Sequence, residues 1–239
     1  GRSNTEPITG IQKGLSDIEH HMLHFLDNHD EQRLASPEFA GSAENGKPLM
    51  VVSATISTSP TMIYFGQEVG EAGNENGGFG SRSRTSIFDY VGVPNHQRWM
   101  NNGKFDGGKL TTSEKSLRDF YKRVLNFTLK SSALVGDFKE IHSDNNTITD
   151  GYLPEVYSFV RWSDNQKLIV VANFSSSKKS QFELIIPKDI IQKWNLKQGN
   201  YTIIDQLYQK SQLTLKVING EGKVIIDLKP SESFVYQLQ

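Results

Sequence analysis

The C-terminal part of the chain is written in period two. Residues 156–162, 167–174, 181–186, 201–205, 213–217, 223–228 and 233–238 are seven short stretches of strand character. Turn residues such as Ser163-Asp164-Asn165, Gly199-Asn200 and Asn219-Gly220 separate them. Successive side chains of a strand point to opposite faces, so an alternating stretch has one face to bury. Seven or eight such strands at regular spacing predict an antiparallel sandwich. No alternation of this kind precedes residue 134, and a domain boundary is placed near residue 133.

Residues 1–133 mix helical and strand signals. Thr111-Thr112-Ser113-Glu114 fits a capping box, with Thr111 as N-cap and Glu114 at N3. Leu117, Phe120, Tyr121, Val124, Leu125 and Leu129 follow at three- and four-residue spacing and predict a helix to about residue 131. A second helix is expected over 43–56, and weak helical character over 14–22. The apolar run His21-Met22-Leu23-His24-Phe25-Leu26 and the stretch Thr61-Met62-Ile63-Tyr64-Phe65, opened by Pro60 and closed by Gly66, read as strands. Strand, helix and strand at this spacing predict a parallel βαβ unit. Residues 70–109 are glycine-rich and carry Phe79, Phe88, Tyr90, Trp99 and Phe105. A loop of that length with aromatics predicts an active-site lid or substrate loop.

Composition narrows the function classes. Twenty-six basic against 27 acidic residues give a net charge of −1, and no basic run occurs, so the footprint of a general nucleic-acid binder is missing. No window approaches the roughly 18 uninterrupted apolar residues that mark a membrane helix, and residues 49–56 are far too short. With no cysteine, disulfides, thiol catalysis and thiolate zinc sites are excluded, while the compartment stays open. The start, Gly1-Arg2-Ser3-Asn4-Thr5, has neither initiator Met nor the regions of a signal peptide, and reads as a processed or engineered end.

The chemistry-bearing segment is Phe25-Leu26-Asp27-Asn28-His29-Asp30-Glu31-Gln32-Arg33. An apolar strand that delivers a polar cluster at its carboxyl end is how barrel enzymes place catalytic groups. Asp beside His, with Arg33 one helical turn on, can bind sugar hydroxyls, phosphate or a metal. Equally, Asn28 and Asp30 are good helix N-caps, and the segment can be a solvated loop. His20, His21, His24 and His29 can be read as a metal cluster or as ordinary satisfied histidines, the commoner case. Trp162 and Trp194 can form a sugar-binding surface or pack in a core. Sequons at Asn126, Asn145, Asn173 and Asn200 are explained by chance in an Asn-rich chain.

Phe-Leu-Asp-Asn-His-Asp at 25–30 resembles the last conserved segment of the α-amylase family, glycoside hydrolase family 13. Pro60-Thr61-Met62-Ile63-Tyr64-Phe65-Gly66-Gln67-Glu68 resembles that family's eighth barrel strand, in the right order and at suitable spacing. The resemblance covers nearly the whole chain. It implies the C-terminal part of a (β/α)8 TIM barrel over 1–133, followed by an antiparallel Greek-key β-sandwich over 134–239. It implies a retaining glycosidase acting on α-glucans such as starch or maltooligosaccharides. Asp30 would be the carboxylate that binds and distorts the −1 sugar, and His29 would contact the same hydroxyls. Asn28, Arg33, Trp99 and Tyr90 are further substrate-binding candidates, with Arg33 alternatively a partner holding local carboxylates. Phe79, Phe88, Tyr90 and Trp99 can stack on sugar faces or, the commoner case, pack the loop, and Glu68 is a candidate ion-pair member.

The family's nucleophile Asp, in Gly-x-Arg-x-Asp, and its acid Glu belong to earlier segments that do not occur here. Gly80-Ser81-Arg82-Ser83-Arg84 has no Asp at the required place. The chain alone is therefore expected to be inactive, and to cover its open barrel edges by self-association. No cofactor is expected in this chain; calcium, common in such enzymes, would bind the earlier segments. A secreted or periplasmic parent fits the resemblance. A non-catalytic carbohydrate-binding or assembly module, and a transglycosylase of the same family, are the alternatives.

Overall fold

A computed structural model describes residues 4–74, 83–85, 92–209 and 211–239. Among them are five helices, α1 Glu6–Gly14, α2 Lys47–Thr55, α3 Pro94–Met100, α4 Thr112–Thr128 and α5 Lys188–Lys193. Eight strands accompany them: β1 Asp137–Glu140, β2 Val156–Trp162, β3 Lys167–Asn173, β4 Ser180–Ile186, β5 Gly199–Asp205, β6 Gln212–Ile218, β7 Glu221–Leu228 and β8 Ser233–Leu238. The chain divides into two compact units. One comprises Gly1–Met22, Thr55–Ser59 and Phe127–Gln239, the other Leu23–Ala54 and Pro60–Asn126. Residues 1–22 thus belong with the strands and not with the segment that follows them.

In the strand-rich unit all seven predicted strands form, together with the short β1. Every pairing is antiparallel, in the order β1-β2-β3-β8-β5-β6-β7-β4. The strands make one sheet, where two facing sheets were expected. Val156, Val160 and Trp162 of β2 share a single apolar core with Leu184 and Ile186 of β4 and Ile226 of β7. Strands from opposite ends of the order can meet in one core only if the sheet curls on itself.

Two devices finish that sheet. Strand β2 is buried along its whole length because its second face is also covered. There Tyr157, Phe159 and Arg161 point away from the core, and α1 is tied to β2 through Thr5 Oγ1, which donates to Val156 O at 2.8 Å. The second device is Asn145, between β1 and β2 and fully buried. Its amide donates to Ile185 O at 3.0 Å, and its oxygen accepts from Ile185 N at 2.8 Å. One side chain thereby satisfies the backbone of the β4 edge as a neighbouring strand would. Gly151 permits the close approach of this loop, since a Cβ there would sit 2.1 Å from Gln181 O. Trp162 and Trp194 are buried, and the sequon residues Asn145 and Asn173 are fully buried.

The second unit is built on α4. The Thr111 N–H donates to Glu114 Oε2 at 2.8 Å and the Glu114 N–H to Thr111 Oγ1 at 3.3 Å, the reciprocal pair the sequence predicts. Arg98 joins the same carboxylate. Burial alone would raise the Glu114 carboxyl, but Arg98 and Thr111 together hold it below the usual range. Leu117, Phe120, Tyr121 and Val124 face inward, and the helix ends at Thr128, leaving Leu129 exposed.

The expected βαβ unit is reduced to its minimum. His24 and Thr61 form one parallel bridge, with His24 N donating to Pro60 O at 2.9 Å and Met62 N to His24 O at 2.8 Å. Helix α2, shorter than the expected 43–56, lies between them in sequence. Leu23 and Phe25, on either side of the bridge, are 48% and 43% exposed. A parallel strand is normally buried by neighbours on both sides and both faces; among the described residues these have the single bridge alone. The weak helical signal over 14–22 corresponds to a single 3-10 turn, Glu19–His21, while the helix proper is α1, with Pro7 in its first turn.

Candidate functional site

Asp27 closes the apolar run and turns inward. Its carboxylate is fully buried, accepts from Leu34 N at 2.9 Å and lies 3.4 Å from Arg33 Nε. Burial pushes the Asp27 carboxyl up, against the pull of Arg33 and the Leu34 N–H. The next residue, Asn28, accepts from the N–H groups of Asp30 at 2.8 Å and Glu31 at 3.0 Å. This Asx-type turn reverses the chain. No helix follows it, so Asn28, a substrate-binding candidate, spends its side-chain oxygen on the turn.

The turn lifts His29 and Asp30 to the surface. His29 Nε2 lies 3.3 Å from Asp30 Oδ2, with the two side chains 49% and 67% exposed. Arg84 Nη2 reaches Asp30 Oδ1 at 3.5 Å. The two residues singled out for sugar contact are therefore adjacent and open to solvent. A carboxylate acceptor beside an imidazole is suited to holding a pair of neighbouring hydroxyls.

Arg33 requires a correction. Expected among the substrate-binding residues, it is fully buried and touches protein on every side. Its Nη2 donates to Phe65 O at 2.6 Å, Nη1 to Thr85 Oγ1 at 3.3 Å and Nε to Glu71 O at 3.5 Å. The Tyr64 ring lies 4.7 Å from the guanidinium carbon, and the Arg33 N–H donates to Ser83 O at 2.6 Å. Asp27, Phe65, Glu71 and residues 83–85 are thus pinned to one cation.

Glu71, which no spacing signal marks, is a second buried anchor. It accepts from Gly73 N at 3.3 Å, Asn95 N at 2.9 Å and His96 N at 3.4 Å. Glu68 forms no ion pair within 4 Å among the described residues; burial raises its carboxyl while Arg118 and Arg33 act on it at longer range.

Trp99 packs in a ladder of rings. His96 stacks on it at 5.5 Å, Phe105 meets it edge-on at 5.7 Å, and Arg118 lies 5.6 Å from its centre. Phe65 meets His96 at 5.0 Å, and burial, helped by Arg33, lowers the His96 imidazole. Trp99 lines a cleft of about 230 Å³ with Asp106, Lys115, Arg118 and Asp119, and neither His29 nor Asp30 lines it. Tyr90, Phe79 and Phe88 lie outside the described residues. Among the described residues no three His, Asp or Glu are grouped to hold a metal.

No protein-family model and no curated protein sequence matches the chain. Solved structures do. An Anoxybacillus α-amylase is 17% identical, with a TM-score of 0.62, over 99% of this chain and 42% of that one. The α-amylase of Geobacillus thermoleovorans, complexed with acarbose, is 13% identical with a TM-score of 0.64, over 99% of this chain and 43% of that one. The γ-CGTase of alkalophilic Bacillus clarkii is 17% identical with a TM-score of 0.60, over 98% of this chain and 29% of that one. The chain spans less than half the length of these enzymes. Its fold resembles a part of the α-amylase fold, and at this identity the likeness is one of fold.

Proposed function

We propose that this chain is the C-terminal part of an amylase-type retaining glycosidase acting on α-glucans. In this reading residues 23–126 supply the last strand–helix units of a (β/α)8 barrel, and the curled sheet is the C-terminal β-domain. The observation that carries the reading is the pairing of His29 with Asp30 at 3.3 Å on an exposed turn directly after the parallel bridge. That is where a barrel enzyme places groups that touch substrate.

Asp30 accepts hydrogen bonds from hydroxyls of the −1 sugar, and His29 contacts the same pair. Both contacts tighten as the ring flattens toward an oxocarbenium-like transition state, and only such differential binding accelerates the reaction. Arg33, with Asp27, fixes the turn that presents them. The nucleophile and the acid/base, which a retaining enzyme needs roughly 5–5.5 Å apart, come from segments of the parent outside these residues. Arg84 holds Asp30 before the sugar arrives.

The gene sequence upstream of Gly1 tests this. A Gly-x-Arg-x-Asp segment followed by an acid Glu is expected; a start codon immediately before Ser3 would favour a non-catalytic carbohydrate-binding or assembly module. The isolated chain is expected to release no sugar from maltoheptaose, and robust turnover by it would overturn the reading. Transglycosylation is the second reading, favoured by the likeness to a γ-CGTase; analysis of the parent's products on maltooligosaccharides separates the two.

A further inference from the structure

Residues 83–85 are anchored on several sides. Ser83 N donates to Gly73 O at 3.0 Å, Ser83 O accepts from Arg33 N at 2.6 Å, and Thr85 Oγ1 accepts from Arg33 Nη1 at 3.3 Å. Ser83 Oγ also donates to the Glu38 carboxylate. Gly73 admits the segment, since a Cβ there would lie 2.8 Å from the Ser83 carbonyl carbon. Ser83 itself adopts the left-handed region, with φ +71°, a conformation that a residue with a side chain keeps only where its surroundings impose it. Ser83 and Thr85 are buried, while Arg84 between them is turned toward Asp30.

The donors of Arg84 are unspent. Its side chain is 28% exposed, its Nε is buried without a partner, and its Nη groups make no hydrogen bond among the described residues. Its ion pair with Asp30 spans 3.5 Å, longer than the about 2.7–2.9 Å of a charge-assisted hydrogen bond. Buried polar groups are ordinarily hydrogen-bonded, so a firmly presented guanidinium in this state is ready for an acceptor. Asp30 restricts which acceptor fits. A bare anion drawn to Arg84 would meet the Asp30 carboxylate beside it. A hydroxyl accepts from the guanidinium and donates to the carboxylate at once.

We propose that Arg84 is a third sugar-contacting residue at this turn, its Nη groups donating to the oxygen of the hydroxyl whose proton Asp30 accepts. The proposal rests on the reading of the His29–Asp30 turn as the −1 sugar site. Held from both sides, the hydroxyl is polarised by its two partners together. The Arg84 contact therefore tightens with that of Asp30 as the ring flattens, and contributes to transition-state binding.

The test is steady-state hydrolysis of maltoheptaose by the complete gene product. Arg84→Met is expected to lower kcat/KM about ten- to a hundredfold, the effect of losing a hydrogen bond from a charged donor. In an Asp30→Ala background the same substitution should cost distinctly less, because the two residues share one hydroxyl. Should Arg84→Met lose its native circular dichroism, Arg84→Gln takes its place. An unchanged kcat/KM in the Arg84 variant, or equal losses in the two backgrounds, would overturn the proposal and leave the glycosidase reading standing. A gene product that cleaves no α-glucan would refute that reading and the proposal with it.

Discussion

Replacing Arg33 with Met probes the anchor beneath the candidate site. The guanidinium is fully buried, and its loss strips the Phe65 carbonyl of a 2.6 Å donor and Asp27 of its 3.4 Å counter-charge. Removing one partner of a buried pair costs about 3–5 kcal/mol, because the other charge is left without compensation. Against a total stability of about 5–15 kcal/mol this is a large fraction, and the urea midpoint should fall accordingly. The double variant Asp27→Asn/Arg33→Met removes the stranded charge, so its cost should fall short of the sum of the singles by about 0.5–3 kcal/mol.

The pH dependence carries a second signature of the same pair. Burial raises the Asp27 carboxyl and Arg33 lowers it. With Arg33 gone, the folded-state value rises further above the unfolded one. A group raised in the folded state contributes stability below its unfolded value, and loses it as pH rises through the folded value. The deficit of Arg33→Met should therefore shrink as pH is lowered from neutral toward the ordinary carboxylate range near about 4. Urea unfolding followed by circular dichroism at several pH values reads both effects. Additive single variants with a pH-independent deficit would refute the ion-pair account.

Further outcomes follow from other contacts. Asn145→Ala leaves the Ile185 N–H and C=O and the Ile141 carbonyl unpartnered; at about 1–3 kcal/mol per buried orphan, calorimetry should show a clear fall in Tm, and Asn145→Asp, which turns two donors into acceptors facing carbonyls, should not restore it. His142 is buried 3.1 Å from the Tyr152 hydroxyl, and burial lowers its imidazole. Its folded state favours the neutral ring, so stability should fall as pH drops below about 6.5, and His142→Gln should flatten that slope in urea midpoints measured across it. Leu23 and Phe25 flank an almost unpaired parallel bridge, so sedimentation velocity should reveal self-association that Phe25→Lys weakens; a compact monomer without exposed apolar surface would contradict this.

What the sequence disclosed followed the range of the interactions. The capping box and the seven strands are local patterns, with partners three residues apart or faces alternating every second residue, and they appear where expected. Strand β1 has only four residues, Asp137–Glu140, too few to show a period, and α5 is a short turn of helix after Pro187. The parallel strands over 21–26 and 61–65 read as apolar runs, yet parallel strands are defined by neighbours, and only His24 and Thr61 pair. At the site, the Asn28-His29-Asp30 turn was legible from residue types. Arg33 was not: the atoms that bury it belong to Phe65, Glu71 and Thr85, up to 52 residues along the chain. Arg84 reaches Asp30 over a similar separation, and Glu71 draws its donors from Asn95 and His96. No spacing rule links such residues; of the two expectations for Arg33, substrate contact and partner of local carboxylates, its buried pairing with Asp27 fits the second.

The most direct measurement is the steady-state hydrolysis of maltoheptaose by the complete gene product and its Asp30→Asn variant. Loss of a contact that tightens only in the transition state should lower kcat on the order of 10²–10³-fold, with a smaller change in KM, an unaltered fold by circular dichroism, and products of retained configuration. An Asp30→Asn enzyme with undiminished kcat, or a complete gene product that does not cleave α-glucans, would contradict the account.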